Sequence, residues 1–184
     1  MIVGKLVLLR AVEKKDLKRL RDWRNDPDVK KFTREYRELS MQNQMQWLES
    51  LAKDKNTMMF AVETKKRKLI GCTGLTYIDW KNSRAEVSIY IGDKNYKGKG
   101  YGTDTLKTLM RYGFEELNLH MLFGEIFEYN KANIRLFEKC GFKRDGVLRH
   151  RLYRDGKYWN SVVYSILRDE WKRPRSSQKI LKQV

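Results

Sequence analysis

The segment NYKGKGYGTDTLKTLM (95–110) has a glycine at every second position and then changes at once into a helical pattern. The glycines are Gly98, Gly100 and Gly102. Glycine adopts backbone conformations that other residues avoid and lets another molecule approach the main chain closely. The first N–H groups of a helix have no partner within it, and the helix dipole favours an anion there. Since Lys97 and Lys99 add positive charge, the segment predicts a diphosphate on the backbone of residues 97–103; the alternative is a turn without a ligand.

Two familiar phosphate motifs do not account for this segment. The dinucleotide-binding fingerprint is G-x-G-x-x-G after a first strand, whereas the spacing here is G-x-G-x-G after four predicted strands. A P-loop requires Ser or Thr directly after its lysine, and Lys99 is followed by Gly100. Both motifs are therefore excluded.

The sequence gives no indication of a metal site. Cys72 and Cys140 lie far apart, and only His120 and His150 could complete a ligand set. Small buried thiols in a reducing compartment are the simpler interpretation.

Composition favours one α/β domain, predicted over residues 1–171 and followed by a basic tail, 172–184. The 184 residues are 41% hydrophobic, which is enough for a core. No apolar stretch reaches membrane-spanning length, and the first residues lack the features of a signal peptide. The expected location is cytoplasmic, with no membrane association.

The net charge of +17 favours anionic partners. Nucleic acid, ribosomes, nucleotides and anionic cofactors are all attracted by such a field, and a polycationic substrate is disfavoured unless a local acidic pocket overrides it. The tail, 172–184, carries basic and no acidic residues, and a solvated end explains it more simply than a dedicated RNA arm.

Periodicity predicts about seven strands and about four helices. The predicted strands are 5–12, 57–64, 68–80, 84–92, 120–128 and a hairpin around Asp155-Gly156. The predicted helices are one before Pro27, one starting at the N-cap Ser40 with Met41, Met45, Leu48 and Leu51 on one side, one carrying Leu106, Leu109, Met110, Phe114 and Leu117, and 130–142 closed by Gly141. The strand–loop–helix–strand unit around the glycine segment should be right-handed and parallel.

These residues carry a family resemblance. The segments YKGKGYGTDTLKTLMRYGFEELNLH and NKANIRLFEKCGF together resemble the acetyl-CoA core of the GNAT superfamily of N-acetyltransferases. LRDWRNDPDVKK and LYRDGKYWNSVVYSILRDEW resemble the branch that contains ribosomal-protein N-terminal, spermidine and amino-sugar acetyltransferases. The resemblance covers nearly the whole chain and implies a splayed mixed sheet.

The resemblance also implies the residues that contact acetyl-CoA. The pantetheine arm would pair with the backbone of residues 89–91, the pyrophosphate would lie on residues 97–103, and the start of the next helix would contact the cofactor from the other side. The implied contacts are Ile89, Tyr90, Ile91, Lys97, Gly98, Lys99, Gly100, Tyr101, Gly102, Thr103, Asn130, Asn133 and Phe137.

Acetyl transfer to an amine needs a deprotonated nucleophile and a stabilised oxyanion. Glu86, on the mixed face of strand 84–92, is the first candidate base, directly or through water, and Glu125 is the second. The competing interpretation of Glu86 is a surface ion pair with Arg84 or a nearby lysine. Backbone N–H groups beside Ile89 and Ile91 are candidates for the oxyanion.

The chain departs from the family at two positions. Many relatives have a tyrosine that protonates the departing thiolate where this chain has Phe137, which cannot donate a proton. Water, or Tyr129 nearby, could supply it. Lys97 stands where relatives usually have Gln or Arg, so the charge is kept and the hydrogen-bond geometry changes.

The acceptor pocket is expected between the first helical region and the last hairpin. The candidates are Trp23, Arg24, Asn25, Phe32, Tyr36, His150, Tyr153 and Trp159. The arginines there argue against spermidine, and they allow a nucleotide-linked amino sugar or docking near ribosomal RNA to reach a protein N-terminus. A primary amine is the hypothesised acceptor, with a protein α-amine slightly ahead of an amino sugar.

Two further functions stay open at this point. One is a basic nucleic-acid-binding module, and the other is a fold of this family that binds acetyl-CoA without turnover. The sequence leaves a monomer and a homodimer equally open.

Overall fold

One mixed β-sheet of eight strands runs through the protein, whose computed structural model describes residues 1–171. The predicted basic tail, 172–184, lies outside these residues. The strands are β1 (Ile2–Val3), β2 (Val7–Ala11), β3 (Met58–Thr64), β4 (Leu69–Asp79), β5 (Arg84–Ile91), β6 (Met121–Phe127), β7 (Lys143–Arg154) and β8 (Lys157–Leu167). Their order in the sheet is β1-β2-β3-β4-β5-β6-β8-β7. The predicted fold class is confirmed, and the strand beyond the expected seven is β1, because the chain turns at Gly4 and β1 pairs antiparallel with β2.

Within the described residues, five α-helices cover the sheet. They are α1 (Leu17–Asn25), α2 (Pro27–Lys30), α3 (Met41–Lys53), α4 (Tyr101–Arg111) and α5 (Lys131–Lys139). The helix that the sequence did not predict is α2, because Pro27 ends α1 and also suits the first position of a new helix. The predicted long helix after the glycines continues beyond α4 as a single π-helical turn, Tyr112–Glu116.

The two faces of the sheet have separate cores. Leu106, Leu109 and Phe114 pack on one face beneath α4, while Leu17 and Leu20 of α1 pack on the other. The predicted alternation in β5 follows from this arrangement: odd-numbered residues pack on the first face and Tyr90 packs with α1 on the second.

The prediction for α3 is right about its start and wrong about part of its buried side. Ser40 caps the helix by accepting from the Asn43 N–H. Met45 is exposed, and the buried residue is Gln44, whose side of the helix also carries Trp47. Because Trp47 packs against the α1 cluster, the buried stripe is rotated toward Gln44.

Other local predictions are confirmed. Asp155 and Gly156 both have positive φ in the turn between β7 and β8, and Gly141 has a φ of 95° directly after α5. Among the residues that the structure describes, no helix has both the length and the apolar character that a bilayer crossing requires.

The feature that positions the site is the junction of β5 and β6. These neighbours run parallel and pair only from Arg84–Glu86 to Met121–Phe123. Beyond Glu86 the register gives no further pairs between them, so the sheet splays open within the described chain.

Candidate active site

A cleft of about 820 Å³ opens where β5 and β6 separate. Its walls come from both strands, from the glycine segment before α4, from the start of α5, and from residues 32–35 after α2. Helices α1 and α3 close one side. The cleft therefore joins a backbone-rich end near α4 to an end built from side chains.

Strand β5 turns part of its backbone toward the open side. Gly92 N–H donates to the Ile70 carbonyl at 2.9 Å, and the Ser88 carbonyl accepts from the Thr73 hydroxyl at 2.9 Å, so even-numbered residues face β4. Since successive residues of a strand point their polar groups in opposite directions, Ile89 and Ile91 direct theirs into the splay. These groups form the edge of a sheet with no neighbouring strand in the register.

The glycine segment has the geometry that the sequence predicted. Gly98 and Gly100 have φ of 72° and 86°, a region that side-chain-bearing residues avoid, and Gly100 is the N-cap of α4. Gly102 is different: its φ is not positive, and a Cβ there would meet Leu136 and Ile91 at ordinary contact distances of 3.8 and 3.9 Å. The protein interior thus gives no reason for glycine at 102, whereas a molecule lying in the cleft would.

Asp104 fixes the start of α4. Its carboxylate accepts from the backbone N–H groups of Lys5, Leu6 and Val7 at 3.1, 2.7 and 3.0 Å. The N–H groups of residues 101–103, in the first helical turn, have no partner within the helix. The helix end is thereby anchored through a side chain while its own donors point outward.

Helix α5 begins on the opposite wall. Asn130 caps it by accepting from the Asn133 N–H at 3.2 Å, and both residues line the cleft. Phe137, further along α5, is buried against Gly124 of β6, where a Cβ would lie 2.5 Å from the ring. The apolar ring therefore occupies the wall next to β6.

A charged cluster crosses the splay at its narrow end. Both Nη atoms of Arg34 bind the Glu86 carboxylate of β5, with Nη1 to Oε2 at 3.0 Å, and Nη2 lies 3.5 Å from Glu125 Oε2 of β6. Arg151 of β7 binds Glu125 from the other side at 3.3 Å. Partial burial opposes the charged form of Arg34, but the hydrogen bond and attraction of Glu86 raise the pKa of Arg34 overall.

The competing interpretation of Glu86, a surface ion pair with Arg84 or a nearby lysine, is wrong. Arg84 pairs with Asp79 at 3.3 Å, and Glu86 is only 7% exposed, so its ion pair is a buried one with Arg34. Arg84 pairs there because it lies at the start of β5, opposite Asp79 at the end of β4.

The sequence profile of the acetyltransferase (GNAT) domain matches residues 7–143, which include the splay, the glycine segment and α5. The chain belongs to this family. It is an N-acetyltransferase, as the resemblance of its glycine segment and α5 indicated.

Named relatives of this GNAT N-acetyltransferase extend over most of its length. A spermidine N(1)-acetyltransferase of Escherichia coli K12 is 29% identical over 90% of this chain and 88% of its own. The crystal structure of spermidine N-acetyltransferase from Vibrio cholerae in complex with CoA and spermine has a TM-score of 0.86, with 26% identity over 91% of this chain and 98% of that one. A putative ribosomal N-acetyltransferase of Bacillus subtilis is 34% identical over 56% of each chain.

The structure brings most of the predicted cofactor residues of this acetyltransferase to one cleft. Those that line it are Ile89, Tyr90, Ile91, Lys97, Gly98, Gly100, Gly102, Thr103, Asn130, Asn133 and Phe137. Lys99 and Tyr101 are not on the wall, and Tyr101 packs edge-on against Tyr96 with ring centroids 5.0 Å apart.

Tyr129, the predicted source of a proton, lies behind the wall. Its hydroxyl donates to the Lys31 carbonyl at 2.6 Å, and its ring packs against Trp159 with centroids 4.9 Å apart. Burial raises the pKa of Tyr129. Its hydroxyl proton is already engaged in holding the segment after α2.

Few of the predicted acceptor residues reach the cleft. Arg24 and Phe32 line it. Trp23 packs against Gly92, and Asn25 exchanges two 2.9 Å hydrogen bonds with the Leu39 backbone. Tyr36 is exposed. His150 and Tyr153 pack around Tyr158 on the hairpin. The aromatic residues thus serve packing more than the cavity.

Cysteine and metal chemistry find no support in the site. Cys72 borders the cleft, but burial raises its pKa to about 12, and burial raises the pKa of Cys140 to about 11, so neither is a thiolate nucleophile. Within residues 1–171, no group of three or more His, Cys, Asp and Glu is arranged to hold a metal ion.

Sequence reasoning missed Arg34, Glu35 and Gln44 on the cleft wall. One signal for Gln44 was present, since a glutamine three residues after Met41 lies on the side of α3 that should be apolar. Arg34 gave no local signal, because its partner Glu86 is 52 residues away.

Proposed function

We propose that this chain transfers the acetyl group of acetyl-CoA to a primary amine, and that the preferred acceptor is the α-amine of a protein N-terminus. The observation that carries the proposal is the charge balance at the narrow end of the cleft. Within residues 1–171, the three carboxylates on the wall are each paired with an arginine. The pairs are Glu86 with Arg34, Glu125 with Arg34 and Arg151, and Glu35 with Arg37.

This balance disfavours a polyamine acceptor. Spermidine carries several positive charges, and binding it would require free carboxylates or the breaking of these ion pairs. The named spermidine acetyltransferases support an amine acceptor in general. The charge balance argues for an acceptor that has one amine group, with a pKa near neutral.

The acceptor's own pKa points the same way. An α-amine has a pKa of about 7.7 to 8.0, so about a third of it is neutral at pH 7.5, against about 0.1% of an alkylamine with a pKa of about 10.4. Accepting a proton would cost Glu86 its ion pair with Arg34. A site whose base is held in this way is better matched to an α-amine than to an alkylamine.

The proposed cofactor position follows the backbone-rich end. The pantetheine arm would pair with the free polar groups of β5 at residues 89–91, and the pyrophosphate would lie on residues 97–103. Asn130 and Asn133 would contact the cofactor from α5. The unexplained glycine at 102 supports this placement, since it leaves room where the phosphates would approach.

The proposed reaction is a direct transfer. The amine nitrogen attacks the thioester carbonyl, backbone N–H groups beside Ile89 and Ile91 stabilise the oxyanion, a C–N bond forms and the C–S bond breaks. Glu86 takes the amine proton, directly or through water, and holding both reactants in one cleft supplies much of the rate. The thiolate, whose thiol has a pKa of about 8.5, takes a proton from water, since Phe137 offers none and the Tyr129 hydroxyl is bound to the Lys31 carbonyl behind the wall.

The test is thiol release from acetyl-CoA with a panel of amines: an N-terminal peptide, spermidine and a nucleotide-linked amino sugar. We expect the peptide to have the highest kcat/KM. A higher kcat/KM for spermidine than for the peptide would overturn the acceptor assignment. Absence of saturable acetyl-CoA binding by calorimetry would overturn the proposed acetyl transfer.

A further inference from the structure

Gln44 of α3 is a buried polar side chain without a use inside the protein. It is 4% exposed, it lines the cleft, and its Oε1 has no hydrogen-bond partner among the described residues. A buried acceptor that lacks a partner has lost its hydrogen bonds to water without replacing them, which destabilises the folded protein. Such a group in a cleft wall indicates a ligand that supplies the missing donor.

Arg24 of α1 is a second polar side chain on the same wall with an unmatched buried atom. Its Nε is buried and also lacks a hydrogen-bond partner among the described residues. Arg24 lines the cleft together with Cys72 of β4 and Tyr90 of β5. The cleft wall thus holds one unmatched donor, Arg24 Nε–H, and one unmatched acceptor, Gln44 Oε1.

We propose that Gln44 and Arg24 form a subsite for an amide group of the acceptor molecule. Arg24 Nε–H donates to the amide carbonyl oxygen, and Gln44 Oε1 accepts from the amide N–H. The inference rests on the proposed acetyl transfer and adds the chemistry by which the acceptor is recognised.

An amide satisfies both groups, as a hydroxyl also can, whereas a carboxylate and a protonated polyamine cannot. A free carboxylate has no proton for Gln44, and a polyamine chain has no acceptor for Arg24. The surrounding wall includes Leu20, Trp47 and Met59, and hydrogen bonds in such an apolar setting are stronger than in water.

The decisive comparison uses two acceptors that differ in one proton donor. Alanine N-methylamide and alanine methyl ester both present an α-amine next to a carbonyl, but the ester lacks the N–H. We expect wild-type kcat/KM to be about tenfold higher for the amide, because the ester leaves the buried Gln44 Oε1 without a donor.

Substitutions test whether the preference for the amide over the ester depends on Gln44. Gln44→Met removes Oε1 at similar volume and should reduce the preference to about twofold or less, while Gln42→Met, on the exposed side of α3, should leave it unchanged. Arg24→Met should lower kcat/KM for amide and ester alike. If Gln44→Met does not fold, the wild-type comparison still decides.

Three outcomes would overturn the subsite: equal wild-type use of amide and ester, an unchanged preference in Gln44→Met, or better use of free alanine than of its amide. Each leaves acetyl transfer itself intact, whereas no thiol release with any amine overturns the proposed function. The amide could come from a peptide or from an acetamido sugar, so an alanyl peptide and an amino sugar with an acetamido group are compared in the same assay.

Discussion

Two arginines in this protein each bridge two carboxylates, and their surroundings differ. Arg10 of β2 binds Asp16 at 2.6 and 2.8 Å and Glu63 of β3 at 2.7 Å. Arg34 binds Glu86 of β5 and Glu125 of β6. The first cluster joins strands that are paired along their length, and the second crosses two strands that have separated.

Exposure separates the clusters further. The side chain of Arg10 is 17% exposed and that of Arg34 is 46% exposed. A cation held by a loop at an open cleft can exchange its carboxylates for those of a ligand, whereas one enclosed between paired strands cannot. We therefore expect the Arg10 cluster to serve stability and the Arg34 cluster to remain accessible to a ligand.

The largest expected effect tests the structural cluster. Asp16→Asn should lower the free energy of unfolding by about 3 kcal/mol at pH 7, because it leaves Arg10 partly unpaired in a buried site. Urea denaturation measures the loss. Asp22→Asn, in an exposed pair with Arg21, is the control and should cost under about 1 kcal/mol.

The difference in unfolding free energy between wild type and Asp16→Asn should depend on pH. Burial alone would raise the pKa of Asp16, but hydrogen bonds from Arg10 hold it below its ordinary value of 3.8. The stabilisation is therefore complete above that value and is lost as the pH falls through the lower folded-state pKa. A stability difference that did not shrink as the pH was lowered below 3.8 would contradict the assignment.

The second prediction tests the cluster at the cleft. Glu86→Gln should lower kcat by about 10²-fold or more, as for loss of a general base, and change stability by under about 1 kcal/mol because Arg34 is half exposed. Acetyl-CoA affinity should stay within about twofold of wild type. Steady-state kinetics and calorimetry measure these, with Glu49→Gln on exposed α3 as the control; unchanged kcat would remove Glu86 from the mechanism.

The third prediction concerns the other, backbone-rich end of the cleft, near α4. Gly102→Ala should weaken acetyl-CoA binding by about tenfold, or about 1.4 kcal/mol, without lowering the melting temperature, because only a ligand opposes a Cβ there. Calorimetry and thermal melting give both values. Gly146→Ala, where a Cβ meets nothing within 4 Å, should change neither value. Equal acetyl-CoA affinity of the two variants would contradict the proposed phosphate position.

The smallest effect concerns selectivity. Arg34→Met leaves Glu86 and Glu125 without their shared cation, so the ratio of kcat/KM for spermidine to that for a peptide should rise by about fivefold. Arg84→Met, which breaks an ion pair on β5 outside the cleft, should leave the ratio unchanged. A fall in the ratio would show that Arg34 does not exclude cationic acceptors.

Sequence could predict the parts of this molecule that depend on neighbours along the chain. The positive φ of Gly98 and Gly100, the cap at Ser40 and the turn at Asp155-Gly156 are local, and each follows from residue type and spacing. The parallel β5–α4–β6 unit follows as well, because its handedness and order are general rules.

The acceptor end could not be predicted in the same way. Arg34 reaches Glu125 across 91 positions, and Asp104 reaches Lys5 across 99, so no pattern within a short window reports them. Trp23 and Asn25 were wrong for another reason: their types suit a binding pocket, but Trp23 packs against Gly92 and the sheet, and Asn25 holds the Leu39 backbone.

The separation of β5 and β6 after Glu86 has a consequence for the life of the protein in the cell. An unpaired strand edge invites other chains to pair with it, and here such an edge lies within the sheet rather than at its rim. A small molecule that hydrogen-bonds along this edge acts as a temporary ninth strand and stabilises the folded form in proportion to its abundance. The concentration of such a ligand would then set how strongly the folded protein resists unfolding and the aggregation that follows it.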